Sequence, residues 1–226
     1  KKHQKDVDVI DKPRSTGSIL KPFLYAAMLD SGDLLPNTIV ADVPTNFGSY
    51  KPEHFDTKYA GAISAKLALS RSLNIPAIRM LQEFGLEKFY DYLKKLDLKN
   101  LTNPPNHYGL TLALGGAESN LWDLCKSYAS MASTVNHYTE NSSRYFKNEF
   151  CEPTFYADKK IEFGEKSSEK IIFDAASIYL TFESLKEVNR PNSDENWEFF
   201  DSSKQVAWKT GTSFGFRDAW AIGTTK

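Results

Sequence analysis

The extended segments of this chain gather at one end of it. Near the C-terminus, "KQVAWKTGTS" and "FRDAWAIGTT" flank "FGF" and read as a β-hairpin rich in β-branched and aromatic residues. Elsewhere the apolar residues recur at helical spacing. Strands that do not alternate with helices exclude repeated βαβ units and leave an α+β chain, a mostly helical body with its strands at the C-terminal end.

The helical segments can be placed from their punctuation. Ser18 to Leu29 reads as a helix, and Pro22 puts its start close to Ser18, because proline fits a helix only where the first-turn N–H has no partner anyway. "AISAKLALSRSLN" is the next candidate, then "PAIRMLQEFG", with Pro76 in a first turn and Gly85 as a stop. "LEKFYDYLKKL" follows, with Phe89, Leu93 and Leu96 on one face. A helix from about Asn120 to Ser133 carries Leu121, Leu124, Tyr128 and Met131 at helical spacing, and "DAASIYLTFESLKEV" is another, closed off by "NRPNSDEN". Residues 31 to 59 are rich in Gly, Pro, Asn and Asp and read as a long ordered connection, and residues 137 to 170 as loops with a short strand or two.

Composition narrows the function by exclusion. Lys plus Arg number 28 against 29 Asp plus Glu, with no basic stretch, so nothing points to nucleic acid or an anionic membrane surface. No apolar run approaches the roughly 20 residues of a membrane span, and "KKHQKDVDVIDKP" lacks the apolar core of a signal peptide. Cys125 and Cys151 are too few for a disulfide framework or a zinc site; Cys125, in a helical pattern, reads as a small buried side chain, and a bridge to Cys151 stays open. His3, His54, His107 and His137 have no ligand spacing, so neither a metal nor another cofactor is expected.

Three short motifs carry chemistry in combination. Ser18-Ile19-Leu20-Lys21 is an S-x-x-K, a pattern that chance supplies about once in a chain of this size. The chain holds a second at Ser167-Ser168-Glu169-Lys170. The plain reading makes Ser18 a helix N-cap and Lys21 a solvated lysine. In the reactive reading, a serine in the first helical turn sits at the positive end of the helix dipole, with a lysine one turn on as its base. Such a lysine needs its pKa, about 10.4 unperturbed, lowered by burial or a second cation. Lys209-Thr210-Gly211-Thr212 offers that cation on an expected strand, where Lys209 and Gly211 share one face and Thr210 and Thr212 the other. Between the two lies Ser72-Leu73-Asn74, an S-x-N in which Ser72 reads equally as a cap for the helix after it. The order S-x-x-K, S-x-N, K-T-G, in suitable local structure, separates Ser18 from Ser167, which sits in a polar loop with no S-x-N before the K-T-G.

S-x-x-K and K-T-G belong to the signature of class A β-lactamases and penicillin-binding proteins. The chain resembles the transpeptidase domain of class A penicillin-binding proteins through these motifs and through "GSILKPFLY", "SRSLNIPAIRML" and "YGLTLALGG". "DVDVIDKPRSTGS" and "WKTGTSFGFRDAWAIG" resemble the penicillin-binding protein 1C branch in particular. Leu73, where S-D-N has its aspartate, is usual for the transpeptidases and argues against a class A β-lactamase.

The resemblance implies a β-lactamase/transpeptidase-like fold, a helical subdomain packed on an antiparallel sheet, with residues 1–226 one partial transpeptidase domain. The family's sheet has five strands, two of them before the nucleophile helix. The chain is therefore expected to be part of a longer protein with a glycosyltransferase domain, a membrane anchor and a C-terminal region, working on the periplasmic or extracytoplasmic side of the inner membrane.

Residue by residue, the resemblance implies that Ser18 attacks a stem peptide of peptidoglycan at its penultimate D-alanine, with Lys21 as base under the field of Lys209. Ser72 relays the proton, and Asn74 binds the peptide and orients Lys21. Lys209, Thr210 and Thr212, with Gly211 between them, receive the carboxylate, and the backbone N–H groups of Ser18 and Thr212 form an oxyanion hole. β-Lactams would acylate the same serine. The rival functions are a D,D-carboxypeptidase or serine β-lactamase, with water as acceptor, and a sensor or scaffold domain that acylates once without turning over.

Overall fold

The computed structural model describes residues 8–48, 50–52, 58–154, 158, 160–187 and 205–225. His3, His54 and "NRPNSDEN" lie outside them. A short strand β1 (Arg14–Ser15) leads into a 3-10 turn, Gly17–Leu20, that runs directly into helix α1 (Lys21–Ser31). Pro22 falls in the first turn of α1 as its ring requires, and Gly32, left-handed at φ 78°, ends the helix. Every residue from Lys21 to Met28 is buried, so α1 is the central helix of the body.

Strand β2 (Ile39–Asp42) pairs antiparallel with β3 (Gly61–Ser64), Val40 opposite Ile63. These strands correct three expectations. Strands are not gathered at the C-terminal end alone, since paired strands recur through the body of the chain. The connection over 31 to 59 holds a strand, and the helix expected from "AISAKLALSRSLN" is strand up to Ser64 and helix α2 only over Ala65–Ser70. The apolar run reads equally in both periods, and pairing with β2 decides it.

Helices α3 (Asn74–Phe84) and α4 (Leu86–Lys95) meet at Gly85, α5 (Pro105–Tyr108) is one turn, and a 3-10 stretch, Gly109–Leu114, precedes β4 (Glu118–Ser119), which pairs with β1. Helix α6 (Leu121–Glu140) outruns its expected end by two turns; its N-cap Asn120 accepts from Asp123 N at 2.7 Å. Cys125 on α6 is exposed rather than buried, and both cysteines are free thiols. Strands β5 (Tyr145–Phe146) and β6 (Lys166–Ser167) pair across the irregular region and are tied to α6 by the buried Glu149, which meets His137 Nδ1 at 2.9 Å. Helix α7 (Ala175–Lys186) is capped by Asp174.

The hairpin expected at the C-terminal end is present, β7 (Ala207–Thr212) against β8 (Ala219–Thr224). Helix α1 packs against α7, α3 and α4, while β7 lies on α7 and on the 3-10 turn ahead of α1. Burying Phe23, Leu24 and Met28 of α1 contributes roughly 1.5–3 kcal/mol per side chain. That packing sets the start of α1 rigidly under the end of β7. Among the described residues, no helix is long and apolar enough to cross a membrane.

Candidate active site

The turn that carries Ser18 is seated by contacts from three distant segments. Gly17 is left-handed, φ 52°, and a Cβ there would lie 2.7 Å from both Thr212 N and Thr212 O. A Cβ on Gly211 would lie 2.7 Å from Thr16 O, and one on Gly115 would lie 2.7 Å from the Cα of Gly17. Only glycine lets these backbones approach so closely. The turn is also held by hydrogen bonds. Thr16 N donates to Ala117 O at 3.0 Å, Ser15 Oγ to Gly115 O at 2.7 Å, Trp220 Nε1 to Ser15 O at 2.8 Å, and Tyr128 Oη to Ile19 O at 3.0 Å. Ser18 itself is half-buried and caps nothing, since neither the 3-10 turn nor α1 has a side-chain cap. The N-cap reading of Ser18 therefore fails.

Lys21, three residues on from Ser18, is only 2% exposed. Its Nζ donates to Ser72 O at 2.7 Å, Leu73 O at 3.1 Å and Asn74 Oδ1 at 2.8 Å. Burial, and after it the charge of Lys209, push its pKa well below that of an ordinary lysine. Lys209, also 2% exposed, donates to Ser72 Oγ at 2.6 Å and Thr210 O at 2.7 Å, and burial lowers it to about 7. The two lysines thus grip one serine, one by its carbonyl and one by its hydroxyl. Ser72 is left-handed, φ 56°, where it ends α2 with Ser72 N donating to Leu69 O at 2.9 Å and Leu73 N to Ala68 O at 3.0 Å. A glycine usually takes that position, and a non-glycine residue there stores local strain.

Strand alternation decides the rest. Lys209 and Gly211 are buried while Thr210 and Thr212 are exposed, as period two requires. Ser213 N donates to Asp218 O at 3.0 Å, so Ser213 bonds across the hairpin. By the alternation of an antiparallel ladder, the backbone groups of Thr212 and Thr210 then face away from β8. On that free edge the Lys209 ammonium bends back to the carbonyl of Thr210, which lets a side chain from the buried face serve the same edge as the two threonines. Ser18, Lys21, Ser72, Asn74, Lys209, Thr210, Gly211 and Thr212 are therefore brought together.

The second S-x-x-K is not part of this site. Ser167 Oγ accepts from Glu169 N at 3.0 Å, and Lys170 Nζ lies 2.6 Å from Asp30 Oδ2. Three residues that seat the Ser18 turn, Gly115, Tyr128 and Trp220, have no motif of their own. Tyr128 reads as an ordinary core position on its helix, and only its buried hydroxyl gives it a second role.

Residues 2–225 match the family described as the penicillin binding protein transpeptidase domain. The chain is 33% identical over 221 residues to penicillin-binding protein 1C of Escherichia coli (strain K12), covering 96% of this chain and 25% of that protein. It is 25% identical over 224 residues to penicillin-binding protein 1A of Neisseria cinerea, covering 93% of this chain and 26% of that one. The chain thus spans about a quarter of the length of these curated relatives. In fold it is similar to penicillin-binding protein 1A of Haemophilus influenzae (TM-score 0.70, 20% identity, 97% of this chain and 38% of that one). It is similar too to the transpeptidase domain of Burkholderia pseudomallei penicillin-binding protein 3 (TM-score 0.71, 17% identity, 96% and 68%).

Proposed function

The chain belongs to the penicillin-binding protein transpeptidase family, and from that premise we propose that it is a serine D,D-transpeptidase that cross-links peptidoglycan stem peptides through an acyl-enzyme on Ser18. One observation carries the reading: Lys21 and Lys209, from opposite ends of the chain, both close on Ser72 while Lys21 also holds Asn74.

Protonated Lys21 uses all three of its N–H groups on Ser72, Leu73 and Asn74. The neutral amine, favoured by burial and by the neighbouring cation, keeps two of them and turns a lone pair toward Ser18. Ser18 Oγ then attacks the carbonyl of the penultimate D-alanine and its proton passes to Lys21. The tetrahedral oxyanion is received by the N–H groups of Ser18 and Thr212, a preorganised arrangement of the kind that contributes most to acyl transfer. As the C–N bond breaks, the departing D-alanine nitrogen takes a proton from Ser72 Oγ, which already accepts from Lys209 and so has its own O–H free to donate, and Ser72 regains a proton from Lys21, which thereby gives up the one it took from Ser18 and is neutral again. An amine of a second stem attacks the ester, its surplus proton returns through the same groups, and Ser18 is released as a new amide forms. Lys209 with the Thr210 and Thr212 hydroxyls receives the donor's terminal carboxylate, whose charge in turn holds the proton on Lys209. β-Lactams with a carboxylate beside the reactive carbonyl acylate Ser18 by the same route.

We take residues 1–226 as one transpeptidase domain acting on the extracytoplasmic face of the membrane, its partners being stem peptides and β-lactams. Intact mass after incubation with benzylpenicillin, followed by peptide mapping, tests the reading. One adduct on the peptide containing Ser18 is expected, and with a D-alanyl peptide thioester, whose leaving group departs, release to an added D-amino acid is expected to be faster than release to water. No adduct, or an adduct elsewhere, overturns the acyl-enzyme, and release to water alone favours a carboxypeptidase or β-lactamase.

A further inference from the structure

The turn that carries Ser18 changes register just after the serine. In a 3-10 turn a carbonyl accepts from the N–H three residues on, and in an α-helix from the N–H four residues on. Thr16 O accepts from Ile19 N at 3.1 Å and Ser18 O from Lys21 N, both in the 3-10 register. Continued by one residue, that register asks Pro22 for an N–H to Ile19 O, which proline lacks. The α register is no easier, since Ser18 O would then need the same missing N–H. Pro22 therefore fixes Ser18 O on Lys21 and leaves Ile19 O short of its 3-10 donor. The donor comes from α6. Tyr128 Oη lies 3.0 Å from Ile19 O, 109 residues away in sequence. Its ring stands edge-on to Phe23, centroids 5.0 Å apart, which aims the hydroxyl back along the start of α1. Tyr128 and Ile19 are both buried, so a carbonyl left unmet there would bear its full desolvation cost. Burial also raises the Tyr128 phenol above its ordinary pKa, so the hydroxyl remains a donor.

We propose that Tyr128 is a positioning residue for acyl transfer: by holding the Ile19 carbonyl it keeps the turn in its 3-10 register and so sets the Ser18 amide and hydroxyl at the reacting carbonyl. The inference rests on the acyl-enzyme reading above and deepens it. The peptide group between Gly17 and Ser18 carries the N–H assigned to the oxyanion, and any rotation of the turn swings it together with Ser18 Oγ. Such a donor helps only when it is aimed in advance at the place the oxyanion will occupy. The carboxylate's partners stand on a different element, since Lys209, Thr210 and Thr212 belong to β7. Tyr128 therefore acts on the rate of the step and not on capture of the carboxylate. A second buried tyrosine marks the difference. Tyr25, on α1 itself, accepts from Ser184 Oγ at 3.2 Å, a bond between α1 and α7 that does not involve the turn.

Saturation kinetics of acylation by benzylpenicillin separate the limiting rate constant from the dissociation constant of the complex that precedes it. Tyr128→Phe is expected to lower the limiting rate constant roughly tenfold, short of the hundredfold that a displacement of about 1 Å costs. The dissociation constant should not change. Tyr25→Phe should leave both constants as they are. Each variant loses one buried hydrogen bond, so both should melt about 2–4 °C lower, and a merely structural role would slow the two alike or neither. Pro22→Ala offers Ser18 O the α partner that proline denies and should slow the same step. The double variant should lose less than the product of the two, because both changes act on one turn. An unchanged limiting rate constant in Tyr128→Phe overturns the positioning role. So do equal slowing in Tyr25→Phe, a loss confined to the dissociation constant, and fully independent effects in the double variant. If Tyr128→Phe does not fold, Pro22→Ala carries the test, and full speed there overturns the register. Absence of any adduct in the unaltered protein is a distinct result, which overturns the acyl-enzyme reading and the positioning role with it.

Discussion

Two lysines stand three residues after a serine, and the fold treats them oppositely. Lys21 is withdrawn from water onto three oxygens beside a second lysine, with no carboxylate among its hydrogen-bond partners. Lys170 keeps 43% of its side chain exposed and rests on the buried carboxylate of Asp30 at 2.6 Å. Both act on α1, from its two ends. Asp30 lies in the last turn of α1, where a negative charge opposes the helix dipole, and Lys170, Tyr92 Oη at 3.0 Å and the Asp174 N–H at 2.8 Å satisfy it there. That environment pushes the Tyr92 phenol up to about 12, through burial first and the Asp30 charge second. A lysine with a carboxylate partner is a structural cation; a lysine with a lysine partner is poised to lose its proton. The spacing of the motif does not distinguish them, but the sign of the neighbouring charge does.

The largest expected effect breaks the pair apart at the serines. Ser18→Ala should abolish covalent labelling by a fluorescent penicillin and Ser167→Ala should leave it intact; labelling that survives Ser18→Ala and vanishes with Ser167→Ala would invert the assignment. At the lysines, Lys21→Ala should nearly eliminate labelling, because a serine without a base is a poor nucleophile. Lys170→Ala should label normally and instead lose about 1.5–3 kcal/mol of stability in urea unfolding, the worth of a hydrogen bond to a charged group. Equal loss of labelling in both variants would show that the two lysines do the same work.

Gly115→Ala sharpens the contrast by perturbing Ser18 without touching either lysine. Its Cβ would press on Gly17 and shift the Ser18 and Thr212 amides, so acylation should slow by about a hundredfold or more, as when an oxyanion donor is lost. Gly116→Ala, which meets the Thr111 side chain instead, is the control for damage to the same loop, and equal slowing in both variants would remove Gly115 from the site.

The smallest effect is in pH. Lys209 is lowered to about 7, so the rate constant for acylation by a carboxylate-bearing β-lactam should fall above about pH 7 as the free protein loses that cation. The stability sign is opposite to that of a lysine in an ion pair. From about pH 7 to 10.5 the unfolded chain keeps a proton that the folded chain has released, so folding stability rises with pH across that window. In Lys209→Met that rise should be less steep, keeping only the part that the buried Lys21 contributes with the same sign, and an equally steep rise in the variant would locate it elsewhere.

What the sequence determined by itself was local and periodic. Pro22 marked the start of α1, Gly85 the junction of α3 and α4, and the alternation in "AWKTGT" the strand with Lys209 and Gly211 on its buried face. The order of three short motifs separated Ser18 from Ser167 before any contact was visible. Each of these signals lies within a few residues, where backbone sterics and side-chain direction follow from residue type alone. The tertiary structure decided what depends on partners remote in the chain. It made "GAIS" a strand because β2 was there to pair with it, and left Cys125 in solvent because α6 turns that face outward. It gave Tyr128 and Gly115 their roles, since Ile19 is 109 residues from Tyr128 and Gly17 meets Gly115 only through folding. Above all it set the protonation of Lys21, because a pKa depends on burial and on the charge across the cleft, and neither is written in the four residues from Ser18 to Lys21.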